Sequence, residues 1–567
     1  MNNNNNMNMH LVTGTNNLNQ SLKTTPTIPS ANFVSEEESD ENDLIESEEI
    51  ERILRIDYNL YESKEESRKR EEVLGKLNDI IKKFIYKVAI KNNIPEDIAR
   101  NTGGKIFTFG SYRLGVHGPG ADIDVLCVAP RHVDRNEDFF GELVNILKNE
   151  REVTEICDVK DAYVPVIKMK YCGIQIDLLF ARLSLKTIDE NLESLQDDTI
   201  LKNCDKESIL SLNGCRVTDQ ILSLVPNVGN FRLSLRAIKL WAKKRGLYSN
   251  VMGYLGGVSW AILVAKICQM FPNLKPNKLI RKFFEIYSQW DWNNQPISLN
   301  EIKRETGFSC PIPVWPDDSA KSCMSIITPA FPAMNSTYNV SETTKRILLK
   351  EFEFFKQFTN MIKQNSSSLC LWKEFFNEID FFSYYSCYLQ IDVLSTNEED
   401  FKKWQGFVES RLRFLIKFLE EVVQIKVHPY PRDFSLNDNK FEFDSTYFFG
   451  IEFNDPKSLN DLPYSYLANL NKSKDSILLI NLRDVIIKFC HKINEPIKSQ
   501  NSHQVINIRN PTTMNVRIQA KPNYKLPMEI LNRDKKKLII NNNDHREIEV
   551  NGYEDIETNF YVKKRKI

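Results

Sequence analysis

The sequence predicts a multidomain α+β protein with a mixed α/β unit, a mainly helical central unit and a ferredoxin-like C-terminal unit. Strand-like and helix-like segments alternate between about 122 and 180, amphipathic helical segments dominate from about 206 to 365, and a β-α-β-β-α-β order follows residue 370. A chain of 567 residues has room for roughly three or four domains. The predicted units are a disordered segment 1–50, the α/β domain 51–205, the helical domain 206–365, the ferredoxin-like domain 366–530 and a basic tail 531–567.

The first fifty residues carry few apolar side chains. An Asn-rich start is followed by a Ser/Thr/Pro stretch and then by the acidic run SEEESDENDLIESEEIE at 35–51. Such composition is typical of disordered chains, so we expect residues 1–50 to be disordered. The first strong helix is predicted at 64–92, where Val73, Leu77 and Ile80 begin an apolar series at three- and four-residue spacing.

The α/β domain and the helical domain follow from local periodicity. Strands are predicted at 122–129, 163–171 and 174–180, with a helix near 137–149. Four amphipathic patterns then predict helices near 231–245, 256–270, 277–289 and 341–363.

The C-terminal domain has the element order of a ferredoxin-like fold, which RNA-recognition modules (RRMs) share. Its predicted elements are a strand at 383–394, a helix at 399–422, strands at 423–428 and 446–453, a helix at 482–493 and a strand at 512–519. The aromatic consensus of sequence-reading RNA-recognition motifs is missing, so we expect scattered Lys and Arg to contact a nucleic-acid backbone instead.

Composition narrows the cellular setting. Lys+Arg 75 balance Asp+Glu 76, so the global charge does not reveal a polyanionic partner. The eleven cysteines form no C-x-x-C pair, no apolar leader is present and no stretch has the length of a membrane span, which favours a reducing intracellular compartment. The terminal KKRK at 563–566 resembles a nuclear-localisation patch, and a solvated basic tail is the alternative.

The segment FTFGSYRLGVHGPGADID at 107–124 carries the strongest chemical signal. Asp122 and Asp124 are spaced one residue apart and therefore project to the same side of a strand, where they repel each other unless a cation lies between them. The preceding Gly110-Ser111 pair offers backbone N–H groups and a hydroxyl to an anion if it opens a helix. A metal clamp beside a phosphate cradle indicates phosphoryl or nucleotidyl transfer, although a lone D-x-D is more often a cap or surface feature.

A third carboxylate strengthens the metal interpretation. Asp177 lies in the strand-like GIQIDLLF, among apolar neighbours where an unpaired carboxylate is costly to bury. We therefore expect Asp122, Asp124 and Asp177 to bind metal together.

The predicted helix at 231–245 carries a basic stripe. Its members Arg232, Arg236, Lys239 and Lys243 recur at helical spacing with no acidic residue between Asn230 and Asn250. This favours a phosphate-facing role, and a solvated face is the alternative. Tyr248 could stack on a base or bond a ribose or phosphate.

Several stretches closely resemble the eukaryotic nuclear poly(A) polymerases, members of the DNA-polymerase-β-like nucleotidyltransferase superfamily. They are FTFGSYRLGVHGPGADID, IDLLFARL (176–183), LNGCRVTDQIL (212–222), RAIKLWAKKRGLYSNVMGYLGGVSWAILVAKICQMFP (236–272) and ITPAFPAMNSTYNV (327–340). The resemblance runs from about 60 to 455, and WQGFVESRLRFLIKFLE (404–420) extends it into the predicted RNA-binding domain. It implies that the α/β domain is a nucleotidyltransferase domain.

The resemblance also implies an activity and a site. The enzyme would be template-independent, would add AMP from ATP to the 3′ end of RNA such as pre-mRNA, and would release pyrophosphate. Asp122, Asp124 and Asp177 match the family's triad, which holds two Mg²⁺ or Mn²⁺ ions. The implied ATP-binding positions are Phe109, Gly110, Ser111, Gly118, Asp122, Ile123, Asp124, Asp177, Lys239, Tyr248, Gly257 and Val258. Asn213 falls in a family motif close to nucleotide and primer.

The same resemblance implies a nuclear location, partners among 3′-end cleavage and polyadenylation factors, no membrane association and a chain that is a monomer by itself. A uridylyl- or CCA-adding relative is the main alternative, because the triad and the Gly-Ser turn are common to the superfamily. A catalytically dead RNA-binding scaffold is a further alternative. It predicts the loss of at least one metal carboxylate, whereas all three are present.

Overall fold

The computed structural model describes most of the chain between residues 33 and 527. The described residues are 33–160, 162–316, 322–364, 368–436, 441–454, 478–495, 497–498, 505–506, 510, 513–527, 530, 548–549, 552–553 and 557–562. The predictions for residues 1–32 and for the KKRK tail lie outside this part of the chain.

The first domain is built on a five-stranded sheet. Its strands are β1 (Lys105–Phe109), β2 (Ile123–Ala129), β3 (Val153–Val159), β4 (Val166–Tyr171) and β5 (Ile174–Arg182). Their order in the sheet is β1-β2-β5-β4-β3, and β2 runs parallel to β5 while the other neighbours are antiparallel. The helices here are α1 (Glu41–Arg52), α2 (Lys64–Lys91), α3 (Glu96–Ala99), α4 (Gly110–Leu114) and α5 (Val144–Asn149), with π-helical segments at Ile53–Asp57 and Arg135–Leu143.

Helix α2 covers one face of this sheet. The apolar stripe that begins at Val73 and Leu77 is buried against Ile123 and Val125 of β2 and Ile176 of β5. Successive strand residues point to opposite faces, so the alternate residues of β2 and β5 point away from α2. The predicted helix at 64–92 and the predicted strands are therefore confirmed, whereas β1 and β3 were not predicted.

The acidic run is ordered, so the expectation of disorder throughout 1–50 is wrong for its last part. Residues 41–52 form α1, which Asp40 caps by accepting from Asp43 N at 3.0 Å. Asn277, in the helix α9 (Pro276–Tyr287), is completely buried, and its Nδ2 donates to Asp43 Oδ1 at 2.9 Å. An acidic segment is expected to be disordered only where no partner surface binds its charged side chains. Here α9 provides such a surface for α1.

The second domain is helical, as predicted. Its helices are α6 (Lys206–Leu224), α7 (Val228–Lys244), α8 (Gly257–Met270), α9 (Pro276–Tyr287), α10 (Glu342–Gln364) and α11 (Ser368–Phe375). The core is aromatic: Trp241 of α7 is fully buried and contacts Trp260 edge-on with ring centroids 5.8 Å apart. No helix among the described residues is both long enough and apolar enough to cross a bilayer.

The third domain has the predicted ferredoxin-like sheet. Its elements are α12 (Phe381–Tyr384), β6 (Cys387–Ser395), α13 (Glu398–Glu409), α14 (Leu412–Glu420), β7 (Ile425–Phe434), β8 (Phe443–Phe453), β9 (Leu478–Asn481), α15 (Arg483–Asn494), β10 (Ile497–Lys498), β11 (Val505–Ile506), β12 (Met514–Pro522), β13 (Ile548–Glu549), β14 (Gly552–Tyr553) and β15 (Glu557–Val562). The strand order β12-β6-β8-β7 is antiparallel throughout.

Two predicted elements of this domain need correction. The strand predicted from 383 begins only at Cys387, because Phe381–Tyr384 form a helical turn whose aromatic rings pack on Tyr430 and Tyr388. The single helix predicted at 399–422 is two helices, α13 and α14. The break lies at Ser410 and Arg411, where the Arg411 guanidinium lies 3.4 Å from the Phe407 ring centroid and donates to Phe407 O.

Candidate active site

Three carboxylates converge on the face of the first sheet that points away from α2. Asp122 immediately precedes β2, Asp124 is the second residue of β2, and Asp177 lies directly opposite Asp124 on the parallel neighbour β5. Their ligand oxygens lie within 4.8 Å of one another. The triad predicted from sequence is therefore a real cluster, and the parallel β2–β5 register is what brings Asp177 to the pair.

The cluster is electrostatically unfavourable without a cation. Burial, and then the charges of Asp122 and Asp177, raise the pKa of Asp124 to about 7. Within the described chain the triad has one ion-pair partner, Lys168 of β4, whose Nζ lies 2.7 Å from Asp177 Oδ2. Three oxygen donors with so little compensation fit a hard divalent cation such as Mg²⁺ or Mn²⁺.

A cavity of about 780 Å³, lined by Asp122 and Asp124, opens between the first domain and α7. Most of the ATP-binding positions implied by the resemblance line it, namely Gly110, Ser111, Gly118, Asp122, Asp124, Lys239, Tyr248, Gly257 and Val258. The fold therefore gathers residues that are separated by more than a hundred positions in the sequence.

The Gly-Ser turn is shaped by its nearness to Asp124. Gly110 opens the short helix α4 with a φ of 62°, in the left-handed region that favours glycine. Its N–H donates to Thr218 Oγ1 of α6 at 3.3 Å, so this hydroxyl helps to hold the turn. Thr218 was not predicted as a site residue, and its place in LNGCRVTDQIL was the available signal.

Lys239 and Tyr248 face the carboxylates from the second domain. Burial, and then the neighbouring Lys243 and Arg236, lower the pKa of Lys239 to about 8. Burial, and then Asp122 and Asp124, raise the pKa of Tyr248 to about 12, so its hydroxyl stays protonated and can donate. A polyanion in the cavity would favour the charged form of Lys239.

The basic stripe on α7 divides into two functions. Arg232 Nε donates to Leu114 O at 2.8 Å, and Arg236 donates to Leu60 O at 2.8 Å, His117 O at 2.7 Å and Gly115 O at 2.8 Å. The phosphate-facing role expected for the stripe is therefore wrong for Arg232, which holds a loop beside the cavity. Arg236 lines the cavity together with Lys239 and Lys243, but its guanidinium is engaged by the three loop carbonyls.

Comparison with known proteins identifies the family. Residues 31–225 match the poly(A) polymerase nucleotidyltransferase domain, 230–378 the poly(A) polymerase central domain and 380–457 the poly(A) polymerase predicted RNA binding domain. The chain belongs to the poly(A) polymerase family. The resemblance expected from sequence is thus confirmed.

Two relatives illustrate the family match. The poly(A) polymerase of Dictyostelium discoideum is 47% identical over 487 residues, which are 85% of this chain and 56% of that relative. Nuclear poly(A) polymerase 1 of Arabidopsis thaliana is 47% identical over 413 residues, 73% of this chain and 57% of that relative. This chain therefore spans little more than half the length of the curated relatives that it matches. A solved structure of the Cid1 poly(U) polymerase aligns with 15% identity and a TM-score of 0.41 over 59% of this chain and 99% of that chain.

Four predicted positions do not line the cavity, and one of them is Asp177, which lies against Asp124 and Lys168. Ile123 is fully buried on the α2 side of β2, and Phe109 lies against α6, where a Cβ on Gly214 would approach its ring to 2.8 Å. Asn213 Nδ2 points to Met334 Sδ at 3.4 Å. Any contact with nucleotide at Ile123 or Phe109 would have to come from the backbone, and it stays a prediction.

Other cavity residues were missed by the sequence reasoning. Tyr58, Asn59 and Leu60 line the cavity from the segment between α1 and α2, and His117 lines it from the loop after α4. None of the segment 58–60 carries a motif, so no local signal marked it. Lys168 could have been found, because it alternates with apolar residues in the strand VIKMKY and so faces the same side as Asp177.

Proposed function

We propose that this poly(A) polymerase family member is a template-independent polynucleotide adenylyltransferase that adds AMP from ATP to RNA 3′ ends and releases pyrophosphate. The observation that carries the proposal is a cluster of three carboxylates, two of which, Asp122 and Asp124, line one cavity together with Lys239 and Tyr248. A nucleoside triphosphate requires carboxylates that bind its metal ions. It also requires positively charged and hydroxyl side chains that contact its phosphates, and Lys239 and Tyr248 are such side chains.

The carboxylates would hold the metal. Asp122, Asp124 and Asp177 offer oxygen ligands for two Mg²⁺ or Mn²⁺ ions, which when bound would activate the RNA 3′-hydroxyl and stabilise charge on the α-phosphate. Lys168 neutralises part of Asp177 in the absence of metal. Because the pKa of Asp124 is about 7, its carboxyl group loses its proton readily when a cation approaches.

The triphosphate would lie between the two domains. The Ser111 turn faces it from the first domain, while Lys239 and Tyr248 face it from the second. Tyr248 is set close to the backbone at Gly257, where a Cβ would come within 2.8 Å of its Oη. A nucleotide between these groups can be oriented only when the domains are correctly spaced, and the two Arg236-bound loops maintain that spacing.

The cellular context is proposed from the relatives. Relatives named nuclear poly(A) polymerases favour a nuclear location. The match to a predicted RNA-binding domain favours RNA as the acceptor, with 3′-end cleavage and polyadenylation factors as the partners that select it. We further propose that the chain is a monomer by itself.

Primer extension with single nucleotides tests the proposal. The full chain is incubated with an RNA primer and each of the four NTPs, once with Mg²⁺ and once with Mn²⁺. We expect ATP to give long products in both, because the site needs a hard divalent cation and not one particular ion. Preferential UTP incorporation would instead assign the chain to the uridylyl-adding alternative. Asp124→Ala is the matched negative control, and we expect it to abolish extension while RNA binding remains.

A further inference from the structure

A second cavity, of about 400 Å³, adjoins the candidate active site. Gly120 and Ala121, the two residues before Asp122, line both cavities. The other walls come from the start of α2 and from the β4–β5 hairpin, through Glu66, Lys69, Arg70, Lys170, Gly173 and Gln175. This second cavity lies outside the ATP-binding positions discussed above, and we call it the hairpin pocket.

The hairpin pocket has an excess of positive charge. Lys69, Arg70 and Lys170 face one carboxylate, Glu66. Lys69 is exposed, and its Nζ would lie 3.9 Å from a Cβ on Gly173, so its ammonium group lies over the hairpin turn. Lys170 pairs with Glu155 at 3.3 Å, but that pair is exposed and therefore contributes little. The pocket can accept an anion without losing a strong internal ion pair.

Arg70 gives the pocket a fixed donor. The residue is 3% exposed, its Nε lies 2.9 Å from Glu62 Oε2, and Glu62 Oε1 in turn lies 2.8 Å from His117 Nε2. This chain of contacts holds the guanidinium in place. Its Nη1 is buried and has no hydrogen-bond partner among the described residues. A buried N–H of a charged group is costly when it is unpaired, and a phosphate oxygen is the acceptor that suits a guanidinium best.

The strand register relates this pocket to the metal carboxylates. On β4 and β5, Lys168 lies opposite Asp177 and Lys170 lies opposite Gln175, so both lysines are on the same side of the sheet. The step from Lys168 to Lys170 is two strand residues, or about 7 Å. A nucleic-acid strand whose 3′ end reaches Asp177 can therefore place a neighbouring phosphate at Lys170.

We propose that Lys69, Arg70 and Lys170 form a subsite for a backbone phosphate of the RNA strand that is being extended. The inference rests on the proposed function. ATP does not need this pocket, since its phosphates have Ser111, Lys239 and Tyr248 in the larger cavity. The subsite would hold the RNA behind its 3′ end without reading its bases, because it contacts only phosphate.

The test uses the full chain with the double variant Lys69→Glu/Lys170→Glu. Fluorescence anisotropy with labelled oligo(A) RNA, without ATP, measures RNA affinity from about 50 to about 200 mM salt. We expect RNA binding to weaken at least about tenfold at the lowest salt, and the slope of log K against log salt to fall by about 0.7 for the lost phosphate contact. KM for ATP should change by less than about twofold, because the residues proposed to bind ATP are unchanged in this variant.

Lys83→Glu is the matched control, because Lys83 is an exposed lysine on the same helix α2 and lies outside the pocket. Lys69→Ala/Lys170→Ala guards against a folding defect in the charge reversal, and it should give the same slope change with a smaller loss of affinity. Unchanged RNA affinity and slope in both double variants would overturn the proposal. So would weaker inhibition by added pyrophosphate with unchanged RNA affinity, because that result assigns the pocket to the released product.

The anisotropy readout separates this inference from the proposed function. A wild-type chain that extends no primer would refute the adenylyltransferase assignment, whereas the RNA-binding measurement does not depend on catalysis.

Discussion

A Cβ atom on Gly110 would lie 2.1 Å from Oδ2 of Asp124. The Gly110-Ser111 turn and the Asp124 carboxylate are therefore in direct contact, and only glycine fits between them. The left-handed φ of Gly110 adds a second reason, because other residues adopt it at a cost. We expect Gly110→Ala to displace Asp124 and to lower kcat for primer extension by at least about a hundredfold, in line with the effect of small misplacements in active sites.

Gly75→Ala is the matched control for that variant. Gly75 lies within α2, and a Cβ there would meet nothing within 4 Å. This change should leave kcat unchanged and should stabilise the protein by roughly 0.5–1 kcal/mol, because alanine is the better helix former. Thermal unfolding measures the second effect, and equal loss of activity in both variants would contradict the role assigned to Gly110.

Asp124 links the stability of the metal-free protein to pH. The folded protein holds the pKa of Asp124 at about 7, against about 3.9 in an unfolded chain. The folded state therefore binds more protons between about pH 4 and pH 7, and its stability falls as the pH rises through that window. Asp124→Asn carries no charge to bury, so its Tm in chelator should exceed that of the wild type by a few degrees near pH 8 and by less near pH 5.

Divalent metal should make the wild type more stable than Asp124→Asn, which reverses the order of the two Tm values in chelator. Saturating Mg²⁺ stabilises the wild type by binding the ionised triad but cannot do so fully in Asp124→Asn. If the Tm difference between the wild type and Asp124→Asn depended on neither pH nor Mg²⁺, this result would contradict the placement of Asp124 in the metal site.

Lys168 is expected to compete with metal for Asp177, since its Nζ lies 2.7 Å from Oδ2. We expect Lys168→Met to strengthen Mg²⁺ binding by several-fold, because a neighbouring positive charge is removed. Isothermal titration of the metal measures this, and Lys148→Met is the control because Lys148 is an exposed lysine on α5 that makes no ion pair with the triad among the described residues. Weaker Mg²⁺ binding in the Lys168 variant would contradict the competition.

Arg236 is expected to position the loops beside the cavity. Its guanidinium donates to three carbonyl oxygens and also lies 4.3 Å from the Tyr61 ring centroid. Arg236→Lys keeps the positive charge but leaves the carbonyl of Leu60, Gly115 or His117 without a donor. We expect KM for ATP to rise about tenfold with a smaller effect on kcat, together with a loss of about 1–3 kcal/mol in stability. Arg232→Lys removes one such contact and should have the smaller effect on both.

The acidic helix α1 is expected to be a structural part of the enzyme. Asn277 joins it to α9 through Asp43, Glu46 and Ser47, at distances of 2.9 to 3.2 Å. We expect Asn277→Ala to lower the free energy of unfolding by about 1–3 kcal/mol, because buried polar groups on α1 lose their partner. The exposed Asn273, which donates to Glu38, is the control, and Asn273→Ala should change stability by less than about 0.5 kcal/mol.

The sequence by itself determined the elements that carry the triad, together with the residue types of the site. The apolar spacing from Val73 onward predicted α2, and the alternation around Asp124 and Asp177 placed both on strand faces. These signals are local, because helix and strand periodicities are written in neighbouring residues.

Tertiary structure decided how those residues are used. Only the parallel pairing of β2 with β5 sets Asp124 opposite Asp177. Only the approach of α7 to the first domain allows Arg236, which the sequence predicted to face phosphate, to donate to loop carbonyls instead. The ordering of the acidic helix likewise depends on Asn277, more than two hundred residues away. Such pairings follow from long-range packing, and no periodicity within a short window encodes them.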